Sequence, residues 1–207
     1  MQQPRLALVE QAFERSFADG IAALGCNTIS LVAHSQGCLV GLEFGARYAE
    51  RLTSLSLVAS GLATPVNDAL LGAARDNPEA AIAMMTSWRF GAEGHCGRGP
   101  VPGNAMIAVG QKVMRGNTPD ALHADLTACN LYSNGRQAAS GITTPVQVIV
   151  AGHDRMAPGK ATDELIAHLA NPEVAVIPDS GHIIPQEAPN RCRKLLRDFI
   201  FTHNPAT

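Results

Sequence analysis

Apolar positions along the chain change their period several times. Leu6, Val9, Phe13, Phe17, Ile21 and Leu24 recur every three or four residues, one face of a helix over 5–24. Gly25 then supplies a stop. Thr28–Ala33 (TISLVA) is a short apolar run rich in β-branched residues, which reads as a strand. Beyond His34-Ser35-Gln36-Gly37 the helical period returns through Leu39, Leu42, Ala46 and Ala49, so a helix is expected over about 37–51. Ser54–Ala59 (SLSLVA) is a second strand. Residues 62–140 hold no clear strand; they carry helical stretches such as Pro78–Trp88 and a Gly/Pro-rich loop at 91–103. Thr144–Ala151 (TPVQVIVA) and Glu173–Ile177 (EVAVI) are further strands. A helix at about 159–170 separates them, and one at about 189–202 turns Cys192, Leu195, Leu196, Phe199 and Ile200 inward.

Nearly continuous apolar strands alternating with amphipathic helices predict an α/β fold: a mostly parallel sheet covered by helices on both faces. The 207 residues suit one domain with an insertion. Composition removes several function classes. With 46% hydrophobic and 16% charged residues the chain is not a disordered segment. A net charge of −2 lacks the basic footprint of a nucleic-acid binder and the polybasic tract of a membrane-surface protein. No apolar run approaches the roughly 18 residues that span a bilayer, and the N-terminus lacks the run of about 7–15 that a secretory signal needs. A cytoplasmic protein without nucleic-acid or membrane partners is expected. Its five cysteines are scattered and form no C-x-x-C pair, so neither a disulfide framework nor a zinc site is expected.

Chemistry concentrates at three loops. Ala33-His34-Ser35-Gln36-Gly37 lies at a strand-to-helix junction, the setting of a nucleophile elbow, where small residues two before and two after the serine permit close approach of strand and helix. Here the first small residue is alanine rather than glycine. Ser35 also suits a turn or helix cap. A serine nucleophile needs a base, and the base an orienting carboxylate. Asp154, in Gly152-His153-Asp154-Arg155-Met156-Ala157-Pro158, follows the third strand, and His182, in Ser180-Gly181-His182-Ile183-Ile184-Pro185, follows the fourth. Both stand where active-site groups gather in open parallel sheets, beyond the C-terminal ends of the strands. Asp163 and Asp179 compete for the carboxylate role. His34, beside the candidate nucleophile, reads as packed or hydrogen-bonded in the elbow, His153 as part of the acid loop without chemistry, and His95-Cys96 as half a metal site without its partners.

These motifs, in this order and spacing, resemble the C-terminal two-thirds of an α/β-hydrolase, and the resemblance covers almost the whole chain. It implies Ser35 as nucleophile, His182 as base, Asp154 as its partner and the Gln36 backbone N–H as an oxyanion-hole donor. It implies no cofactor and no metal. It divides the chain into a core of 1–61 and 141–207 and a helical cap of 62–140. The implied activity is a serine hydrolase cleaving a small, fairly apolar ester or related acyl substrate. Met85 and Trp88 are candidates for the acyl pocket, with internal packing as their other reading. The family's first strands, and the loop that supplies its second oxyanion donor, have no counterpart ahead of Ser35. From this a truncated chain is expected, with the strand at 28–33 as an apolar edge open to another chain, so a homo-oligomer is compatible with the sequence. A catalytically silent scaffold is the alternative function.

Overall fold

The computed structural model describes residues 19–96, 100, 105–118 and 120–204. Four parallel strands form one sheet in the order β1 (Ile29–His34), β2 (Leu52–Val58), β3 (Val146–Ala151) and β4 (Glu173–Ile177). All four expected strands are present, shifted by up to two residues at their ends. Of the helix expected at 5–24, residues 5–18 lie outside the described residues. Residues 19–23 are helical and close at Gly25, whose φ is 71°.

Two apolar layers sandwich the sheet. On one face Ala33, Leu55, Leu57, Val146 and Val148 pack against α1 (Gly37–Arg47), which supplies Cys38, Leu42 and Phe44. On the other face Val58, Ile149, Ala151 and Ile177 meet Ile184 and Cys192. The helix expected over 37–51 is interrupted: α1 ends at Arg47 and a single 3-10 turn, Ala49–Arg51, leads into β2. Gly41 lets α1 lie close to the sheet, since a Cβ there would come 3.1 Å from the Ala33 side chain.

Between β2 and β3 the described residues form helices only: α2 (Asp68–Asp76), α3 (Pro78–Arg89), the single turn α4 (Ala92–His95), α5 (Met106–Arg115), α6 (Ala121–Leu131) and α7 (Gly135–Gly141). Caps legible in the sequence start two of them. Asn67 accepts from the Leu70 N–H at 2.8 Å, and Asn77 accepts from the Ala80 N–H at 3.2 Å with Pro78 in the first turn. The loop expected at 91–103 opens with α4; residues 97–99 and 101–104 lie outside the description. Helix α7 falls on the cap side of the expected boundary at 140, yet its Ala138 and Ala139 are buried in the same layer as α1. The insertion's return to the core is tied to α1 through Glu43. This buried carboxylate accepts from the Tyr132 hydroxyl at 3.0 Å, from Asn134 Nδ2 at 2.7 Å and from Arg47 at 3.1 Å.

The chain then continues through α8 (Gly159–His168), β4, the short α9 (Ile184–Glu187) and α10 (Pro189–His203). Strands β1 and β4 are the sheet's edges among the described residues, with Val32 42% exposed on one and Val176 51% exposed on the other. No described helix is long and apolar enough to cross a membrane.

Candidate active site

The C-terminal ends of β1, β3 and β4 open onto one place. At the end of β1 the chain reverses sharply into α1, and Ser35 takes a φ of 55°, in the left-handed region. A non-glycine residue there is strained and must be held by its surroundings. Its N–H donates to the Val58 carbonyl at 3.0 Å, and its own carbonyl accepts from Cys38 N–H at 2.9 Å. The turn thus presents Oγ outward at the start of α1. Gln36 is exposed beside it, with its N–H among the first of a helix that have no intrahelical acceptor.

The small residues of the elbow work differently from the sequence expectation. Ala33 is buried and needs its small side chain because Gly41 faces it. A Cβ on Gly37, by contrast, would meet nothing within 4 Å among the described residues. The close approach of strand and helix is made one turn further along α1.

The His182 and Asp154 loops are pinned together. The Gly152 N–H donates to the Ile177 carbonyl and the His153 N–H to the Ser180 carbonyl, each at 2.9 Å. Gly152 must lack a side chain, because a Cβ there would lie 2.2 Å from the Pro178 carbonyl oxygen. The result is a continuous chain of side chains. Ser35 Oγ lies 2.7 Å from His182 Nε2, and His182 Nδ1 lies 2.8 Å from Asp154 Oδ2. The side chains of His182 and Asp154 are 4% and 2% exposed, so this polar chain runs through a dry region. The other carboxylate oxygen is also satisfied: Asp154 Oδ1 accepts from the N–H groups of Met156 and Ala157, both at 2.8 Å. Asp163 and Asp179 are exposed and make no such contact, so the choice among the three acidic residues falls on Asp154.

His34 is not idle. Its Nε2–H donates to the carbonyl of His182 at 2.8 Å, and the two rings lie 5.1 Å apart. Burial holds its pKa below the usual histidine value; the neighbouring His182 and Arg89 push the same way against the partly offsetting hydrogen bond. His153 is exposed and contributes only backbone.

Glu187 was not singled out by any sequence pattern. Its carboxylate accepts from three backbone N–H groups: Gly91 at 2.7 Å, Gly181 at 3.1 Å and Ile183 at 3.2 Å. Two of these flank His182 and the third begins the segment after α3, so one carboxylate fastens the helical insertion to the histidine loop. The signal available was its place in the string from Ser180 to Pro189, five residues beyond the histidine.

An open cleft of about 240 Å³ is walled by Thr64, Val66, Leu70, Trp88, Leu126 and Met156 among others, the last of these two residues beyond Asp154. Trp88 therefore stands at the cleft. Met85 does not: it packs among Leu70, Ala74, Ala81 and Leu126 inside the insertion, because its position on α3 turns it toward α2 and α6. His95 and Cys96 are exposed, and the described residues hold no group of three His, Cys, Asp or Glu side chains that could bind a metal ion.

Comparison with known proteins bears on the family and the fold. Pimeloyl-[acyl-carrier protein] methyl ester esterase of Neisseria meningitidis (serogroup C, strain FAM18) is 26% identical over 199 residues, spanning 88% of this chain and 73% of that protein. The enol-lactonase of Burkholderia xenovorans LB400 superposes with a TM-score of 0.82 at 21% identity, covering 92% of this chain and 72% of that one. A thermophilic esterase of Thermogutta terrifontis gives a TM-score of 0.80 at 19% identity over 94% of this chain and 72% of its own. The model of the alpha/beta hydrolase family matches residues 3–195, so this chain belongs to the alpha/beta hydrolase family and is an enzyme of the hydrolase type.

Proposed function

We propose that the protein hydrolyses a small ester or related acyl substrate through Ser35, His182 and Asp154. The observation that carries this reading is the unbroken 2.7 Å and 2.8 Å relay from serine to carboxylate, built from three separate loops. With Asp154 accepting from Nδ1–H, His182 is held in the tautomer whose Nε2 lone pair faces Ser35 Oγ. As Oγ attacks the substrate carbonyl, Nε2 takes the hydroxyl proton. The imidazolium is stabilised by the buried carboxylate. The tetrahedral oxyanion is met by the Gln36 N–H and the positive end of α1. Collapse expels the alcohol, protonated by Nε2–H, and leaves an acyl-Ser35. Water then delivers its proton to Nε2 and hydroxide to the acyl carbon, and the acid and free Ser35 result.

The neighbouring His34 supports the same cycle. A second imidazolium 5.1 Å from His182 would oppose the charge that His182 must carry, and burial lowers the pKa of His34, disfavouring that second charge. The cleft lined by Trp88, Leu70, Leu126 and Met156 suits the apolar part of an acyl chain. The esterase and lactonase named above act on carbonyl–oxygen bonds, which fits a substrate of that class.

The test is intact-mass detection of fluorophosphonate labelling. One adduct is expected, absent in Ser35→Ala and strongly slowed in His182→Ala. A folded chain that takes no label would overturn the reading and favour a silent scaffold.

A further inference from the structure

Glu43 is a buried carboxylate that the proposed chemistry does not use. It lies on α1, the helix that begins two residues beyond Ser35, and its side chain is 4% exposed. Its ion-pair partner Arg47 is 41% exposed, so this is not an ordinary surface pair. Oε2 accepts from Arg47 Nη2 at 3.1 Å. Oε1 is turned inward and accepts from the Tyr132 hydroxyl at 3.0 Å and from Asn134 Nδ2 at 2.7 Å. Both inward donors belong to the link between α6 and α7, on the insertion's return path to the sheet. A carboxylate leaves water at high cost unless such donors replace it, and two of its three come from the insertion.

The insertion's outgoing path meets its return path at the same place. A Cβ on Gly135 would stand 1.8 Å from the Leu62 carbonyl oxygen, so the two paths touch backbone to backbone. A little further on, the Val66 N–H donates to Asn130 Oδ1 at 2.9 Å. The two ends of the insertion therefore move as one root, and Glu43 joins that root to the helix of the nucleophile. Elsewhere the insertion is joined at Gly91 to the histidine loop through Glu187. The cleft takes Leu70, Trp88 and Leu126 from the insertion and Met156 from the acid loop, so its shape depends on how the insertion sits against the core.

We infer that Glu43 is a positioning residue for the reaction: it holds the root of the insertion in register with the nucleophile's helix, and through it the shape of the cleft. This rests on the hydrolase reading for turnover, but the mechanical tie is independent of it. Glu43 touches none of Ser35, His182 and Asp154. It therefore governs how well substrate is held, not the proton relay, and its loss acts on KM before kcat.

The tie is cut from the insertion's side by Tyr132→Phe with Asn134→Ala in the full chain, which leaves Glu43 paired with Arg47. Amide hydrogen exchange across 62–71 and 121–135 should then run at least about tenfold faster, the scale of one lost hydrogen bond to a charged group, while α1 and β1–β3 keep the parent's rates. With p-nitrophenyl butyrate, KM should rise by about fivefold or more and kcat stay within about twofold of the parent. Glu43→Gln is the rescue: its amide oxygen still accepts from Tyr132 and Asn134, and the half-exposed Arg47 turns to water, so exchange and KM should stay near the parent's. Tyr132→Phe alone should give the same pattern on a smaller scale, which keeps the test open should the double variant not fold. Parent-like exchange and KM in the cut variants would overturn the inference. So would exchange that quickens equally in α1 and the sheet, a fall in kcat at constant KM, or a loss in Glu43→Gln as large as in the double variant. A parent that takes no fluorophosphonate label sinks the hydrolase reading alone, and the exchange pattern still decides whether Glu43 holds the insertion.

Discussion

Glu187 and Gly91, 96 residues apart, are joined by a 2.7 Å hydrogen bond from the glycine N–H to the carboxylate. The same oxygen accepts from Gly181, and its twin accepts from Ile183, on either side of His182. No room exists for a looser arrangement, because a Cβ on Gly181 would lie 2.3 Å from the Gly91 nitrogen. Glu187→Gln presents an NH₂ group where an acceptor is needed, so at least one backbone N–H loses its partner. Each orphaned buried donor costs about 1–3 kcal/mol. The expected outcome is a lower Tm together with roughly tenfold slower labelling of Ser35, since misplacing a base by a fraction of an ångström slows attack steeply. Glu187→Ala should be worse on both counts. Unchanged melting and labelling in the glutamine variant would show that the clamp does not hold the histidine.

Asp154 performs two tasks with two oxygens, and one substitution separates them. Asp154→Asn retains Oδ1 for the N–H groups of Met156 and Ala157 while replacing Oδ2 by an NH₂ that must donate to Nδ1. His182 is then driven into the tautomer whose Nε2 bears the proton and cannot accept from Ser35. The rate of esterolysis or labelling should fall by about 10⁴, the loss found when this tautomer is wrong in other triads, with little change in Tm. Asp154→Ala should lose the same activity and stability as well, because it also orphans the two N–H groups.

Much of this site was legible because it rests on local signals. The four strands, the elbow at Ser35 and the loops bearing Asp154 and His182 all lie at changes of hydrophobic period, whereas chain order left Asp154, Asp163 and Asp179 open, and only the 2.8 Å contact to His182 singles out Asp154. Glu187 and Glu43 left no such trace. Each acts by accepting hydrogen bonds from segments distant in sequence, 96 residues in one case and 89 in the other, and a lone glutamate reads as surface until that partner is known. Ser54 and Ser56 are both buried at 1% exposure because β2 is central and covered on each side, as a sheet with helices on both faces requires. Met85 and Trp88 share a helix face by spacing, and only packing decides that one lines the cleft and the other does not.

His34 makes stability depend on pH in a defined direction. Its folded pKa lies below its ordinary value of 6.5, chiefly through burial. The unfolded chain therefore binds a proton at this position more readily than the folded one. Its contribution is whole above the unfolded pKa and is lost as pH falls through that value toward the folded pKa. His34→Gln removes the titration. Urea unfolding at about pH 7.5 and about pH 5.5 should show the parent losing more stability on acidification than the variant, by at most about 1.4 kcal/mol for each pH unit crossed. Parallel losses in the two proteins would mean that His34 gains a proton freely in the folded state.

The two glycines of the elbow helix should respond oppositely to the same substitution. Gly37 has open space where a Cβ would stand and an ordinary helical backbone, so Gly37→Ala gains helix propensity of up to about 1 kcal/mol and should hold or raise the Tm. Gly41→Ala gains the same propensity but brings its methyl to 3.1 Å from Ala33 and 3.5 Å from Leu55 and Leu57, all buried in the layer between α1 and the sheet. The leucine methyls at 3.5 Å are in ordinary contact, but the Ala33 Cβ cannot retreat without moving β1, and overpacking of this kind costs about 1–3 kcal/mol. Since β1 delivers Ser35, Gly41→Ala should also slow labelling, whereas Gly37→Ala should leave the fold intact. Thermal melts of both variants beside the parent give the comparison, and a Gly41→Ala protein as stable as Gly37→Ala would mean that the strand and helix have slack at the elbow.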